Sequence, residues 1–137
     1  EGCVAAMAEI LRGVCVGMAY VHGHGWLHCD LKPGNVLLDV LNGRMVAKVA
    51  DMGLAVPLEA DGRAVTRGGT RGYTAPELLG SSGVRVDGSV DVWSFGVVVS
   101  AVSSLRGSGG VWCSGAVPHS RPMRSSSGLL PRPPSPW

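Results

Sequence analysis

The chain has 137 residues, of which 45% are hydrophobic, enough for one modest domain with a buried core. Its net charge of +2 gives no general argument for nucleic acid or a membrane surface as partner. The four cysteines, Cys3, Cys15, Cys29 and Cys113, form no CxxC and no zinc-type spacing with histidines, so free thiols in a reducing compartment are expected.

The first residue is Glu1 and an apolar helical pattern starts at once, which reads as a chain cut from something longer, with a secretory leader absent or lost with the missing part. Met7, Ile10, Leu11, Val14, Met18 and Val21 recur at three- and four-residue steps, predicting an amphipathic helix over about 4–22. His22-Gly23-His24-Gly25 ends it, because glycine suits the left-handed turn after a helix. Two apolar runs follow, Val36-Leu37-Leu38 and Val46-Ala47-Lys48-Val49-Ala50, with Leu41-Asn42-Gly43-Arg44 between them. Asn-Gly is a strong hairpin signal. Residues 51–76 show little periodicity and read as one long loop, of the kind that is usually functional or disordered. Asp91 then opens the run Val92-Trp93-Ser94-Phe95-Gly96-Val97-Val98-Val99, which suggests a helix over about 89–102, buried on most sides. Val97-Val98-Val99 would equally suit a buried strand. The run is too short for the hydrocarbon core of a membrane.

From Ser103 the text turns to Ser, Gly, Pro and Arg. Residues 1–91 hold all ten acidic side chains against eight Lys and Arg, net −2, whereas residues 92–137 hold four arginines and no acid, net +4. Such a stretch buries too little apolar surface to offset its ordering entropy, so 103–137 is expected to be a disordered tail. A proline-rich ligand for an SH3-like partner is the alternative.

The chemistry gathers in His28-Cys29-Asp30-Leu31-Lys32-Pro33-Gly34-Asn35. An Asp, a Lys two residues on and an Asn five on share a tight Pro-Gly turn between a helix and a hairpin. Asp can accept a hydroxyl proton, Lys is a cation for phosphate, and Asn offers an oxygen to a hard cation. Asp51, just past the hairpin, could join the same cleft. Taken singly, each of these residues reads more simply as a turn cap or a solvated loop residue.

Together they form an ordered series. His28 to Asn35 resembles the protein-kinase catalytic loop H-R-D-L-x-x-x-N, Asp51-Met52-Gly53 resembles D-F-G, and Ala75-Pro76-Glu77 matches A-P-E. Gly69-Thr70-Arg71-Gly72-Tyr73-Thr74 leads into the last as G-T-x-x-Y-x does, and Asp91-Val92-Trp93-Ser94-Phe95-Gly96 resembles the helix that follows. The resemblance covers about residues 4–102. It implies an α+β fold class, a partial kinase C-terminal lobe with a small β-hairpin, in a domain of 1–102 followed by the tail. It also implies ATP and Mg as cofactors and a protein as substrate. Asp30 would orient and deprotonate the substrate hydroxyl, Lys32 would stabilise the transferred phosphoryl group, and Asn35 and Asp51 would hold two Mg ions. Leu37 would lie beneath the adenine. Thr66, Thr70 and Glu77 would belong to the activation segment, with Thr70 contacting the catalytic loop. Asp91 would brace that loop by hydrogen bonds. Lys32-Pro33 resembles serine/threonine rather than tyrosine kinases. An intracellular setting follows by the same resemblance, cytoplasmic or as the cytoplasmic part of a receptor-like protein, with no membrane segment within these residues.

There are departures. Cys29 stands in the place of the H-R-D arginine, as in the non-arginine class common among plant receptor-like kinases, and weakens the expectation of control by a phosphate on Thr66. A redox role for Cys29 is the less favoured alternative. Met52 stands for the phenylalanine of D-F-G and can fill a similar slot. Ser81-Ser82-Gly83 reads as a small surface insertion. No Gly-rich phosphate loop, V-A-I-K lysine or partner glutamate is found in the 137 residues. A fragment of an active kinase is therefore weighed against a truncated pseudokinase or decoy. The four intact groups Asp30, Lys32, Asn35 and Asp51 favour the first.

Overall fold

Helix α1 spans Gly2–Gly23 in a computed structural model that describes residues 2–80 and 83–104. Its apolar stripe buries Val14, Met18 and Val21, as the three- and four-residue spacing predicts. The chain then makes a two-residue strand, β1 (Trp26–Leu27), and a 3₁₀ turn at Pro33–Asn35. Strands β2 (Val36–Leu41) and β3 (Arg44–Val49) form the expected antiparallel hairpin, in register from Val36 opposite Val49 to Leu41 opposite Arg44. Its turn residues Asn42 and Gly43 both have positive φ, 52° and 75°, the conformation a two-residue primed turn demands and Asn-Gly supplies.

Two glycines seat α1 on this hairpin. A Cβ on Gly13 would lie 3.1 Å from the Ala47 side chain, and one on Gly17 would lie 2.9 Å from that of Val49. Bare backbone at both positions lets the helix approach β3 closely. Val14, Met18, Leu31 and Ala47 form the buried centre of this contact, with Ile10, Val36, Leu38, Val49 and Phe95 packed around it. By length and composition alone α1 could cross a membrane, but here it is docked on β3 and supplies part of this core.

The stretch 51–76 is not one structureless loop. It carries β4 (Val56–Pro57) and β5 (Ala64–Thr66); β4 pairs antiparallel with β1, and β5 pairs with β6 (Val84–Val86). These strands are two or three residues long and take their partners from distant sequence, so no local periodicity announces them. A second apolar cluster, of Leu27, Cys29, Ala64, Ala75, Leu78, Val86 and Val90, packs beneath them. Helix α2 runs Ser89–Ser104 and settles Val97-Val98-Val99 as helical. It buries Val90, Asp91, Ser94 and Val98 but leaves Val92 and Trp93 exposed, so it is less enclosed than its composition suggests. It also extends past the expected tail boundary at Ser103. The remainder of that tail, and Ser81-Ser82 of the expected insertion, lie outside the described residues.

Candidate active site

The loop from His28 to Asn35 starts where β1 ends. Its backbone is unusual at once: Cys29 has φ 63°, a left-handed conformation that costs a non-glycine residue about 1–3 kcal/mol and persists only where neighbours impose it. The neighbour is Asp91. Its Oδ2 accepts the His28 N–H at 2.8 Å and its Oδ1 accepts the Cys29 N–H at 2.9 Å. Asp91 is 1% exposed. Burial alone would raise its carboxyl, but the hydrogen bonds from His22, His28 N–H and Cys29 N–H outweigh it and hold the group below the usual carboxylate range.

His28 is fully buried. Its Nε2 lies 3.0 Å from the Ala50 carbonyl oxygen, an acceptor, and its Nδ1 accepts the Asp30 N–H at 3.2 Å. The ring is therefore the neutral tautomer with its hydrogen on Nε2. Ala50 N–H in turn donates to the Asn35 carbonyl at 2.9 Å. Ala50 is thus bonded to both ends of the loop, and Asp51 is the next residue.

Four of the expected groups meet directly. Asp30 Oδ1 accepts the Thr70 N–H at 2.8 Å and the Thr70 hydroxyl at 2.6 Å. Asp30 Oδ2 accepts Lys32 Nζ at 2.8 Å and Asn35 Nδ2 at 3.1 Å. Lys32 Nζ also donates to Thr70 Oγ1 at 2.6 Å. Burial opposes the charge on Asp30, but the bonds from Lys32, the Thr70 hydroxyl and the Thr70 N–H prevail and bring the carboxyl down to about 2. It is ionised at any physiological pH.

Asn35 is buried, and its Nδ2 also donates to the Asp30 carbonyl at 2.9 Å. With the amide nitrogen so engaged, Oδ1 is the atom left for a hard cation. Asp51 is exposed, has φ 63°, and accepts the Gly53 N–H through Oδ1 at 3.1 Å. Among the described residues no group of three His, Cys, Asp or Glu could hold a metal ion. Asn35 and Asp51 each offer the kind of oxygen that Mg takes, and Mg commonly uses one or two protein oxygens and completes its shell with water and substrate phosphates.

The other expected residues stand apart. Leu37 is exposed on β2, opposite Lys48. Glu77 is exposed in the 3₁₀ turn Pro76–Leu78. Thr66 is 4% exposed in β5, where its hydroxyl accepts the Gly68 N–H at 3.3 Å and lies beside the Cys29 thiol. Burial, the largest influence, pushes the Cys29 thiol up to about 11 against the partial opposition of Thr66, and Asp91 and Asp30 add to the rise.

The contacts of two residues of the site escape sequence reasoning. A Cβ on Gly69 would overlap the Cys29 carbonyl oxygen, so only glycine lets the backbone pass close enough to deliver Thr70 to Asp30. Its signal was present in the Gly69-Thr70 pair. His22 reads as part of a helix terminator, yet its Nε2 lies 2.8 Å from Asp91 Oδ2.

With this geometry in view, the comparisons with known proteins agree on one family. The model of the protein kinase domain matches residues 4–106, and the chain belongs to that family. It is 40% identical over 90 residues to a probable myosin light chain kinase of Dictyostelium discoideum, covering 66% of this chain and 25% of that protein. It is 42% identical over 96 residues to the G-type lectin S-receptor-like serine/threonine-protein kinase LECRK1 of Oryza sativa subsp. japonica (66% and 11%). It is 39% identical over 111 residues to the eIF-2-alpha kinase GCN2 of Schizosaccharomyces pombe (70% and 7%). The chain thus spans a quarter or less of the length of these curated relatives. Protein kinases as a family use ATP with Mg.

Proposed function

We propose that these residues are the C-terminal-lobe half of a serine/threonine-specific kinase domain, over 1–102, that transfers the γ-phosphoryl group of ATP to hydroxyls of a protein substrate. The observation that carries this reading is the knot in which Thr70 and Lys32 both bond Asp30. It ties the catalytic-loop carboxylate to the segment that would face the substrate. Asp30 orients the substrate hydroxyl and accepts its proton. At about 2 the carboxyl is a weak base, so transfer is aided when Lys32 turns toward the phosphoryl group and releases part of its hold. Lys32 then stands beside the charge that develops on that group, and Leu37 lies under the adenine. Bound Mg would neutralise the phosphates, with Asn35 Oδ1 and the Asp51 carboxylate as its protein ligands.

Control by phosphorylation of Thr66 is disfavoured. Its hydroxyl is buried against Cys29, and Cys29 brings no cation to receive a phosphate. Phosphoryl transfer rests on positioning and charge stabilisation. The 137 residues contain no glycine-rich loop and no V-A-I-K lysine, so the chain by itself is expected to show no turnover. Exposed Val92 and Trp93 make association with other chains the expected behaviour.

The test uses a kinase domain in which this chain is joined to a segment that covers the phosphates. Asp30→Asn should lower kcat by at least about a hundredfold with nucleotide affinity nearly unchanged. Asp51→Asn should damage Mg-dependent ATP binding and turnover together. Equal loss of nucleotide affinity in both variants would contradict the separate roles. Mg-dependent transfer by the 137-residue chain alone, abolished by Asp30→Asn, would overturn the expectation of inactivity.

A further inference from the structure

The segment that delivers Thr70 to Asp30 carries two cations whose charge the fold does not use. Residues 66–76 include Arg67 and Arg71 and no Asp or Glu. Both arginines are exposed, and among the described residues neither forms a salt bridge. Arg85 on the nearby strand β6 shows the ordinary alternative: its guanidinium bonds Glu59 at 3.0 Å and Asp61 at 2.6 Å. Asp30 is already taken up by Lys32, Asn35 and Thr70.

The backbone between the two arginines is pinned. A Cβ on Gly69 would overlap the Cys29 carbonyl oxygen, and the Thr70 N–H bonds Asp30 Oδ1 at 2.8 Å. Arg71 comes next, its Cα about 3.8 Å from that of Thr70. It sits at the corner of a turn closed by the Tyr73 N–H on the Thr70 carbonyl at 3.1 Å, with Gly72 at φ 95°, the positive φ that a type II turn takes at its third residue. On the other side, Gly68 lies against Thr74, where a Cβ would stand 3.6 Å from Thr74 Cγ2. Arg67 and Arg71 are thus the ends of a closed loop whose inner residues, Gly69 and Thr70, touch the catalytic loop. Asp30 is anionic and would repel a carboxylate brought beside it, and two unpaired guanidiniums oppose that repulsion.

We propose that Arg67 and Arg71 select a peptide that carries a carboxylate side chain, Asp or Glu, next to the hydroxyl that is phosphorylated. The inference deepens the proposed kinase function and rests on it for the phosphorylated hydroxyl. A planar guanidinium takes a carboxylate through two parallel N–H···O bonds, whereas a lysine in the same place of the peptide meets two like charges.

Three peptides that bear Glu, Gln or Lys at the positions flanking one serine test it in two settings. The first is a kinase domain that joins this chain to a segment covering the phosphates. An exposed ion pair is worth about two- to fivefold, so kcat/KM for the Glu peptide should exceed that for the Gln peptide by about five- to twentyfold, with the Lys peptide lowest. The advantage should shrink as salt is raised. In Arg67→Gln/Arg71→Gln the advantage of Glu should vanish, and in Arg67→Glu/Arg71→Glu the order should reverse. The second setting is the full 137-residue chain, with the same peptides titrated at low ionic strength and followed by fluorescence anisotropy; Kd should follow the same order and the same reversal. Equal kcat/KM for the three peptides, or an order that the charge reversal leaves unchanged, would overturn the proposal and leave the proposed function intact. So would a gain confined to peptides with phosphoserine at the flanking positions, because the pair would then read an earlier phosphate and not a carboxylate. No transfer to any peptide, with the Glu peptide still bound best by the 137-residue chain and the order reversed in Arg67→Glu/Arg71→Glu, would sink the kinase reading and leave an acidic-peptide site. No transfer and no preference in binding would sink both.

Discussion

The catalytic loop is gripped on two sides by two carboxylates, and the grips differ in kind. At the front, Asp30 accepts bonds from Lys32, Asn35 and Thr70. Lys32 and Thr70 are partly exposed, so these partners can be released or shared with a group that enters from solvent. At the back, Asp91 accepts two backbone amides and one ring N–H with 1% of its own surface exposed. Both carboxyls are held below their usual range against the effect of burial, so depression of the pKa alone does not separate a working group from a brace. The donors do. Side chains that can rearrange hold the front, as the proposed reacting role of Asp30 requires, and amides that cannot move without moving the loop make the back an anchor.

The hardest way to break this contrast is to remove the back. Asp91→Ala leaves the buried His28 and Cys29 amides and the His22 ring without an acceptor, and each orphaned group costs about 1–3 kcal/mol. The expected loss is at least about 3 kcal/mol in urea unfolding, a large share of what a domain of this size possesses. Asp30→Ala removes an acceptor whose donors reach water more easily, and it should cost distinctly less. A larger loss for Asp30→Ala than for Asp91→Ala would reverse the assignment of anchor and working face.

Sequence reading reached the two sides unequally, for a physical reason. Asp30, Lys32 and Asn35 lie within six residues of one another, α1 announces itself by spacing, and the hairpin by Asn42-Gly43. Such local signals survive without any knowledge of the fold. Thr70 and Asp91 came instead from the resemblance of their stretches to a known family, and the structure places both against the loop. What stayed illegible is what only distant packing decides: the two- and three-residue strands β1, β4, β5 and β6, the bare approach of Gly69 to Cys29, and the reach of His22 to Asp91. The run Val97-Val98-Val99 was ambiguous because apolar residues on successive positions suit a strand and a buried helix alike.

Acid sharpens the comparison. Asp30 titrates at about 2 in the folded chain against an ordinary 3.8. A depressed folded value means that its contribution to stability is fully present above about pH 4 and is lost as the pH falls through about 2. At neutral pH that contribution is about 2 kcal/mol, with some discount for the partly exposed Lys32 that supplies much of it. Urea unfolding of the wild type and of Asp30→Asn should therefore differ most near neutral pH and converge as the pH approaches 2. A gap that widens on acidification would show that Asp30 is not held by its donors as the geometry describes.

The smallest effect concerns Cys29, which lies between the two grips. Its N–H serves the anchor, while its side chain turns into the apolar cluster and meets Thr66. The nucleophile of cysteine is the thiolate. A thiol at about 11 rather than 9.0 carries about a hundredfold less thiolate at neutral pH, and Cys29 is only 6% exposed where Cys15 lies open to solvent. Alkylation of the native chain, followed by peptide mass mapping, should modify Cys15 at least about a hundredfold faster than Cys29, and unfolding in urea should bring the two rates together. If Cys29 reacted as fast as Cys15 in the native chain, the thiol would be neither buried nor protonated as the structure has it. The redox alternative would return.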